Sequence, residues 1–360
     1  MTHICKYALL AIFGMSSCAQ MPAKAQIPVE PGGVEIVLID GETRRLNAFG
    51  YADIEHQVAM SPDGVFRIAS MTKQFTAVAV LALVEDGLLT LDDRLATRLP
   101  ECPPAWGEIT LRQLLSHTSG LSGDFAPLLA DTESGSAASH PVAHLRDDFT
   151  PRQLVEHYVD LPLQSAPGER WVYANLNYWI LGLVIEVVTG DPYADFVQRR
   201  VLATAELSNT VIGEWEPIIP DRVSGYERNA SDELRNARYF SSSIGYAAGG
   251  YLSSAEDLAR WYTALSHGEI LSPVMVDLAL TPVRLNNGEA VPFGLGWHVA
   301  TIGKRRAGHH GGSSIGFRSY VYWIPETSAV AITLLNNSGG DEPNMRTRAL
   351  IESSISLTPY

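Results

Sequence analysis

A serine and a lysine three positions apart, Ser70 and Lys73, are the first residues whose types and spacing could do chemistry. They lie in RIASMTKQFTA (residues 67–77), and the apolar pattern over residues 70–86 predicts a helix that stops at Gly87. Side chains three apart on a helix share a face, so the hydroxyl and the amine can approach each other. A desolvated lysine has a lowered pKa and can remove the hydroxyl proton, which makes the serine a nucleophile.

A simpler interpretation of this pair also exists. Ser70 then only begins the helix, and Lys73 lies along the helix surface with its amine in water. The chain has four lysines but many serines, so a Ser-x-x-Lys string arises easily by chance. The pair alone leaves both interpretations open.

Tyr173 and Asn175 form a second candidate group, in PGERWVYAN just ahead of the predicted helix NYWILGLVIEVVTG. A spacing of two in extended chain directs both side chains to the same side. A tyrosine serves as acid or base when a cation depresses its pKa, and an asparagine can hold a lysine ammonium or a substrate amide. The competing interpretation is a buried tyrosine packed on the helix, with the asparagine as its cap.

A glycine-rich run, GHHGGSSIGF (residues 308–317), precedes a strand-like segment. Its glycines let a ligand lie against the backbone, and a histidine offers a hydrogen bond or a charge near neutral pH. Metal binding is disfavoured because His309 and His310 point to opposite faces of an extended chain. The run also contains G-x-S-x-G, the nucleophile elbow of α/β-hydrolases, but no histidine follows His310 and a strand comes next instead of a helix.

The elements that must position these groups come from both ends of the chain. GGVEIVLIDGETRRLNAFG predicts two strands joined at Asp40-Gly41, and NMRTRALIESSI predicts a closing helix. Three segments near the C-terminus predict further strands: FGLGWHVA, GFRSYVYWIP and AVAITLLNN. The part between them is mostly helical in pattern, with a long Ser-, Ala-, Asp- and Gly-rich loop over residues 122–149.

This arrangement predicts an α/β (α+β) fold in which an antiparallel sheet is formed from the N- and C-terminal segments and flanked by helices. A mostly helical domain is inserted into it. The expected boundaries are a sheet subdomain over residues 26–90 and 247–360 and a helical subdomain over residues 91–246.

Residues 1–25 have the pattern of a secretory signal: a basic start, a short apolar stretch and Ala-x-Ala ending at Ala25. An alternative is acylation of Cys18 in MSSC, which would anchor the protein to a membrane. Either route predicts a periplasmic or secreted protein. Removing residues 1–25 takes away two lysines and no acidic residue, so the net charge goes from -14 to -16. Such an acidic chain is a poor partner for nucleic acid or anionic lipid.

Ser70-x-x-Lys73, Tyr173-x-Asn175 and His310-x-Gly312, in this order, resemble the serine β-lactamase and penicillin-binding-protein superfamily. Within this superfamily, the sequence most resembles the branch of class C β-lactamases and D-alanyl-D-alanine carboxypeptidases, a group that also contains esterases and D-aminopeptidases. The resemblance extends through most of the mature chain and is carried by FRIASMTKQFTA, LLSHTSGL, PGERWVYANLNYWILG, AAGGYLSSAEDLARW and GHHGGSSIGF.

The resemblance implies that Ser70 forms an acyl-enzyme while Lys73 and Tyr173 share the proton transfers. It also implies that Asn175 orients Lys73 and the substrate. His310 and Gly312 fall at the Lys-Thr-Gly position of β-lactamases, although the choice of His310 over His309 stays open at this point. The backbone N–H groups of Ser70 and Ser313 would form the oxyanion hole. No metal or other cofactor is implied.

The third motif begins with histidine where class C β-lactamases have lysine, and a histidine is only partly charged at pH 7. We therefore expect a serine hydrolase for amides or esters, first for D-amino-acid or cell-wall peptides in a DD-carboxypeptidase-like reaction. A small-ester esterase is the second expectation, and a weak β-lactamase the third. A penicillin-recognising sensor or binding protein is the non-enzyme alternative. The expected partner is a small molecule or peptide with a carbonyl group, and the sequence does not indicate an oligomeric state.

Overall fold

The computed structural model describes residues 30–123, 144–213, 217–339 and 343–356. The predicted signal segment, residues 1–25, and most of the predicted loop over residues 122–149 lie outside the described residues. Within the described ranges, no helix combines the length and the apolar character needed to cross a membrane.

The strands are numbered in chain order. They are β1 (Gly33–Ile39), β2 (Glu42–Phe49), β3 (Tyr51–Asp53), β4 (Val58–Ala59), β5 (Phe66–Arg67), β6 (Val211–Ile212), β7 (Tyr226–Arg228), β8 (Leu234–Asn236), β9 (Tyr251–Ser253), β10 (His298–Ile302), β11 (Arg305–Ser314), β12 (Phe317–Ile324) and β13 (Ala329–Leu335).

The α-helices are numbered in the same way. They are α1 (Thr72–Glu85), α2 (Leu95–Arg98), α3 (Leu111–Leu115), α4 (Pro151–Glu156), α5 (Asn175–Thr189), α6 (Tyr193–Val197), α7 (Ser242–Gly249), α8 (Ala255–Ser266), α9 (Pro273–Ala279) and α10 (Pro343–Ser356). Shorter turns of 3₁₀-helix or π-helix are Ala69–Met71, Pro104–Trp106, His144–Arg146, Gln198–Leu202, Ala203–Ala205 and Pro325–Thr327.

The main sheet of the described residues has six antiparallel strands in the order β10-β11-β12-β13-β1-β2. The N-terminal hairpin turns at Asp40 and Gly41, both at positive φ, as the Asp-Gly signal predicts. β1 then pairs with β13 from the other end of the chain, with Val34 opposite Leu334. The predicted fold class, a sheet assembled from both termini, is confirmed.

Helices cover both faces of this sheet at its centre, where β1 and β13 are buried on both sides. Val37 of β1 packs in a small apolar cluster with Ile351 of α10. Val34 and Ile36 point to the opposite face and belong to the main core, where α8 lies. In α8, Trp261 contacts Phe75 of α1 at a ring distance of 4.8 Å. Helix α8 therefore joins the sheet to α1.

Helix α1 is buried on every side, from Thr72 to Leu83, as expected for a helix that is apolar all round. The prediction of a helix over residues 70–86 needs one correction at its N-terminal end. Ser70 belongs to the 3₁₀ turn Ala69–Met71 and not to α1 itself, and the positive φ of Ala69 (47°) marks the break. At the other end α1 stops before Gly87, which has φ +73°.

The predicted strand FGLGWHVA also needs a correction, since β10 begins only at His298. The preceding residues form an irregular loop in which Gly296 has φ +101° and lies against α1. A Cβ at that position would lie 2.6 Å from Ala77 Cβ. The glycines in this stretch therefore serve a turn and a close approach rather than a strand.

Candidate active site

Ser70 lies on the 3₁₀ turn between β5 and α1, and its side chain is half-buried. The sheet holds this turn in place. Ser319 of β12 donates from Oγ to the Ile68 carbonyl at 2.8 Å, and the Ile68 N–H donates to the Tyr251 carbonyl at 3.1 Å. Backbone anchors on both sides thus fix the serine where the helix begins.

Lys73 is fully buried, and its amine has three neighbours. Nζ lies 3.2 Å from Ser70 Oγ, 2.6 Å from Asn175 Oδ1 and 2.8 Å from the Ala248 carbonyl oxygen. The alternative of a surface lysine is wrong. Burial holds the pKa of Lys73 well below its usual range, because the charged ammonium loses its hydration.

The three contacts of Lys73 define what a neutral amine would do here. The oxygens of Asn175 and Ala248 only accept hydrogen bonds, so each of them takes an N–H of the amine. The remaining position points to Ser70, and in the neutral amine that position is the lone pair. The arrangement can therefore accept the proton of the Ser70 hydroxyl.

Tyr173 and Asn175 are brought to the same place by the chain just ahead of α5. Ala174 between them is extended (φ -143°, ψ 129°), so both side chains lie on one side, as predicted. Lys73 Nζ is 4.9 Å from the centre of the Tyr173 ring. Asn175 is the first residue of α5 rather than its cap.

Burial raises the pKa of Tyr173 above its usual range, against the opposite effect of a hydrogen bond with the Ser70 side chain. The pKa of Tyr173 is therefore raised, whereas a role as acid or base was expected from a pKa lowered by a nearby cation. At neutral pH the phenol is protonated, so it can donate a proton to a developing charge or to a leaving group. The pKa values of Lys73 and Tyr173 move in opposite directions, and both shifts favour the uncharged group.

His117, in the segment LLSHTSGL, contacts the backbone next to Tyr173. Its Nδ1 accepts from the Ala174 N–H at 3.2 Å and lies 3.0 Å from Asn177 Nδ2. Its ring is 4.4 Å from the ring of Tyr173. Burial and the nearby Lys73 hold the pKa of His117 well below its usual range, so the ring is neutral and its Nδ1 stays an acceptor.

The third motif lies on β11, and its backbone directions follow from the strand pairing. In β10, the Val299 N–H donates to the Pro292 carbonyl and so points away from β11. The backbone N–H and C=O of the neighbouring residue, His298, therefore point toward β11, where His298 lies opposite His309. Backbone groups alternate along a strand. The backbone N–H and C=O of Ser313 therefore point to the same edge of β11 as those of His309. The pairing with β10 ends at His309, so at Ser313 this edge of β11 faces the turn that carries Ser70 instead.

Gly312 is required for the close approach of this strand to that turn. A Cβ at this position would collide with the Ile68 carbonyl oxygen and with Ser319 Oγ. The absent side chain lets β11 lie directly against the Ser70 turn. Ser70 and Ser313 both border the same cleft, and the oxyanion hole expected from their two N–H groups stays a prediction.

His310 and His309 occupy different surroundings. His310 is 2% exposed and borders a cleft with Ser70 and Tyr173. His309 contacts the hydroxyl of Tyr320 at 2.9 Å and stacks on Tyr322. The structure therefore decides the register that the sequence left open, in favour of His310.

His310 is a neutral ring in this position. Its Nδ1 lies 2.6 Å from the Gly311 carbonyl oxygen, which can only accept, so Nδ1 carries the hydrogen. Burial, with His298 and Lys73 nearby, holds the pKa of His310 well below its usual range. Its Nε2 is buried and has no hydrogen-bond partner among the described residues. That atom presents an acceptor rather than a positive charge.

Ser70 stands between two clefts. One, of about 450 Å³, has a wall of apolar side chains from Leu145, Phe240, Ile244 and Ile315. The other, of about 520 Å³, is more polar and is bordered by Tyr173, His298, His310, Arg318 and Tyr320. Both volumes lie in the range of small-molecule sites.

Two contributors to the site were not predicted from the sequence. Ala248 supplies its backbone carbonyl, which no side-chain pattern indicates, although the run AAGGY is a signal for close backbone approach. His298 borders the polar cleft 5.6 Å from His310, ring to ring. Within the described part of the chain, no group of three or more His, Cys, Asp or Glu residues is placed to hold a metal ion.

The family model described as Beta-lactamase matches residues 23–354. The chain belongs to this family. Its expected resemblance to the serine β-lactamase and penicillin-binding-protein superfamily is confirmed, and with it the expected class of enzyme, a serine hydrolase.

The chain is also similar to individual relatives in sequence and in structure. Penicillin-binding protein 4* of Bacillus subtilis is 29% identical, over 91% of this chain and 73% of its own length. The D-aminopeptidase of Gluconobacter oxydans is 24% identical, over 85% of this chain and 56% of its own. The D-amino acid amidase of Ochrobactrum anthropi, solved with D-phenylalanine, is 26% identical with a TM-score of 0.75, over 91% of this chain and 94% of its own.

Proposed function

We propose that this β-lactamase family member hydrolyses amides of D-amino acids or D-amino-acid peptides, with Ser70 as nucleophile and Lys73 as its base. The observation that carries the proposal is the buried Lys73 amine. Its Nζ lies 3.2 Å from Ser70 Oγ, and two acceptor oxygens occupy its other hydrogens. A neutral amine held in this way is ready to take a proton.

The reaction proposed has two halves. Ser70 Oγ forms a bond to the carbonyl carbon while its proton passes to Lys73 Nζ, and the oxyanion lies between the N–H groups of Ser70 and Ser313. The proton then moves, through the Tyr173 hydroxyl or directly from Lys73, to the leaving nitrogen as the C–N bond breaks. In the second half water attacks the ester of Ser70, and the same groups return the proton to Oγ.

Two features support D-amino-acid amides over β-lactams and over peptides with a free terminal carboxylate. The neutral His310 supplies no fixed positive charge at the position where β-lactamases have lysine, and the fixed cation that borders the polar cleft, Arg318, lies on the neighbouring strand. The apolar cleft beside Ser70 suits an aromatic or branched acyl group. The named relatives that act on D-amino acid amides and peptides favour the same class.

Esters of small acids are the second candidate, because the same acyl transfer needs a weaker proton donor for an alcohol leaving group. A weak β-lactamase is third, for lack of a lysine at the third motif. A penicillin-recognising sensor is the non-enzyme alternative. The leader pattern of residues 1–25 supports the further proposal that the protein acts in the periplasm or outside the cell.

A fluorophosphonate probe and a fluorescent penicillin test the nucleophile. We expect the wild type to be labelled at Ser70 and Ser70→Ala to be unlabelled, with Ser122→Ala as a matched control. Parallel assays with D-phenylalaninamide, D-alanyl-D-alanine peptides, p-nitrophenyl esters and nitrocefin rank the substrates. Nitrocefin turnover above that of the D-amino acid amide would overturn the substrate order. Acylation without turnover on every substrate would favour the sensor.

A further inference from the structure

The second acceptor of Lys73, the Ala248 carbonyl oxygen, belongs to an unusual piece of backbone. Helix α7 ends with two carbonyls that face α1: the Ala247 oxygen accepts from Thr76 Oγ1 at 2.6 Å, and the Ala248 oxygen accepts from Lys73 Nζ at 2.8 Å. The helix is broken just before them at Tyr246, which has φ 36° and ψ -131°. This conformation is strained for a residue with a side chain and persists only where the surroundings impose it.

The side chain of Tyr246 is anchored on α5. Its hydroxyl donates to Glu186 Oε1 at 2.9 Å, and the same carboxylate oxygen accepts from the Tyr193 N–H at 3.1 Å. Its ring lies against Gly182, where an added Cβ would be 2.5 Å from a ring carbon. Burial raises the pKa of Tyr246, so the hydroxyl is protonated and remains a donor at neutral pH.

The residues that fix Tyr246 share a helix with a direct neighbour of Lys73. Asn175, Gly182 and Glu186 are spaced by seven and then four residues along α5, so they lie on one face. Asn175 contacts Lys73 directly. Gly182 and Glu186 contact Tyr246, two residues before Ala248. One face of α5 thus carries one acceptor of the amine, Asn175 Oδ1, and also contacts the tyrosine that precedes the other acceptor, the Ala248 carbonyl oxygen of α7.

We propose that Tyr246, seated on Gly182 and anchored by Glu186, is a positioning residue that holds the Ala248 carbonyl on Lys73 Nζ. This role rests on the proposed function, in which Lys73 is the base. A carbonyl oxygen binds an ammonium more strongly than a neutral amine. If the anchor of Tyr246 is removed, the Ala248 carbonyl moves away from Lys73 Nζ and the ammonium loses a hydrogen bond. The pKa of Lys73 then falls, and its amine becomes a weaker base.

The test measures the rate of Ser70 acylation by the fluorophosphonate probe as a function of pH, with the full chain. We expect Tyr246→Phe and Glu186→Leu to move the midpoint of the acid limb down by about half a pH unit, and to slow acylation above that midpoint by up to about threefold because the base is weaker. Glu186→Gln keeps an acceptor oxygen for the Tyr246 hydroxyl, so it should keep the wild-type midpoint.

The control is Tyr226→Phe, another buried tyrosine, whose hydroxyl accepts from the Ile54 N–H at 2.7 Å in the β7 region. It should lose a comparable amount of stability and leave the midpoint of the acid limb unchanged. Denaturant unfolding of every variant separates stability from the pH effect. If Tyr246→Phe does not fold, the comparison of Glu186→Leu with Glu186→Gln decides the question in the same way.

An acid-limb midpoint that is unchanged or raised in Tyr246→Phe and Glu186→Leu would overturn the positioning role. Failure of the proposed function has a different signature. In that case Ser70→Ala would still be labelled or active, and Lys73→Ala would acylate at the wild-type rate. Labelling confined to Ser70, with Tyr246→Phe following the wild-type pH profile, would refute only the role of Tyr246.

Discussion

Lys73 and Asn175 stand 102 positions apart in the chain, and Lys73 Nζ donates to Asn175 Oδ1 over 2.6 Å. This contact joins α1 to the first residue of α5. It places an uncharged amide oxygen against the amine, so a nearly isosteric change to a carboxylate tests how a charge at this position affects the protonation of Lys73.

Asn175→Asp should bring a carboxylate against Lys73 and raise the pKa of its amine, because an opposite charge favours the ammonium. Acylation at pH 7 should fall by about 100-fold and recover as the pH rises. Asn175→Leu is the matched uncharged variant, and it should be slow without that recovery. Rapid-mixing measurements with the fluorophosphonate probe between pH 6 and 10 check both. Parallel profiles of the two variants would contradict the argument.

Lys73→Met should stabilise the protein at neutral pH while abolishing acylation. The pKa of Lys73 is lower in the folded than in the unfolded chain, so the unfolded chain binds more protons over the window between these two values. Stability in the wild type is therefore lost as pH falls through that window and regained as pH rises toward about 10.4.

We expect a gain of at least about 1 kcal/mol for Lys73→Met at pH 7, and the gain should shrink as the pH approaches 10. Urea unfolding of both proteins across this range measures it. A difference that does not vary with pH would show that the folded protein holds Lys73 with an ordinary pKa.

Tyr173→Phe should slow acylation by about 100-fold or more while leaving the fold intact, because only the proton-donating hydroxyl is lost. Lys73→Ala should cause a loss of the same order. Tyr178→Phe is a useful contrast, since the Tyr178 ring also lies near Lys73 Nζ, at 5.5 Å, but its hydroxyl donates to the Leu115 carbonyl. Wild-type acylation rates in Tyr173→Phe would exclude it from the proton transfers.

His310→Lys should shift specificity toward substrates with a free carboxylate beside the scissile bond. The matched pair is D-alanyl-D-alanine and its C-terminal amide, which differ in that one charge. We expect the ratio of kcat/KM for acid over amide to rise by about tenfold, since a fixed ammonium replaces a neutral acceptor. His310→Gln should leave the ratio low. An unchanged ratio in His310→Lys would mean that position 310 does not meet the leaving group.

Gly312→Ala should disrupt the approach of β11 to the turn of Ser70, because the added Cβ meets the Ile68 carbonyl oxygen. We expect a loss of about 1–3 kcal/mol in unfolding free energy and a larger loss of acylation. Gly107→Ala is the control: its nearest neighbour is the Pro104 carbonyl oxygen at 3.3 Å, far from the site. Acylation equal to the wild type in Gly312→Ala would argue against the oxyanion hole on β11.

Local pattern was sufficient for several parts of this protein. The Asp40-Gly41 turn, the end of α1 at Gly87 and the helix that follows Tyr173 each depend on residues adjacent in the chain. The same holds for the shared direction of Tyr173 and Asn175, which a spacing of two imposes on extended chain. Residues 293–297 were predicted as a strand but form a loop. There Gly296 lies against Ala77 of α1, a contact with a residue far away in the chain that the local pattern does not indicate.

The sequence by itself determined which groups could react: a serine, a lysine, a tyrosine and an asparagine at spacings that the family resemblance joins into one site. It could not determine their protonation. The lowered pKa values of Lys73 and His310 follow from burial under elements that come from three parts of the chain. His310 was separated from His309 only by the cleft that it borders together with Ser70 and Tyr173. Desolvation and backbone acceptors such as the carbonyl of Ala248 exist only once those distant segments have packed together, because both depend on what surrounds a group and not on what precedes it.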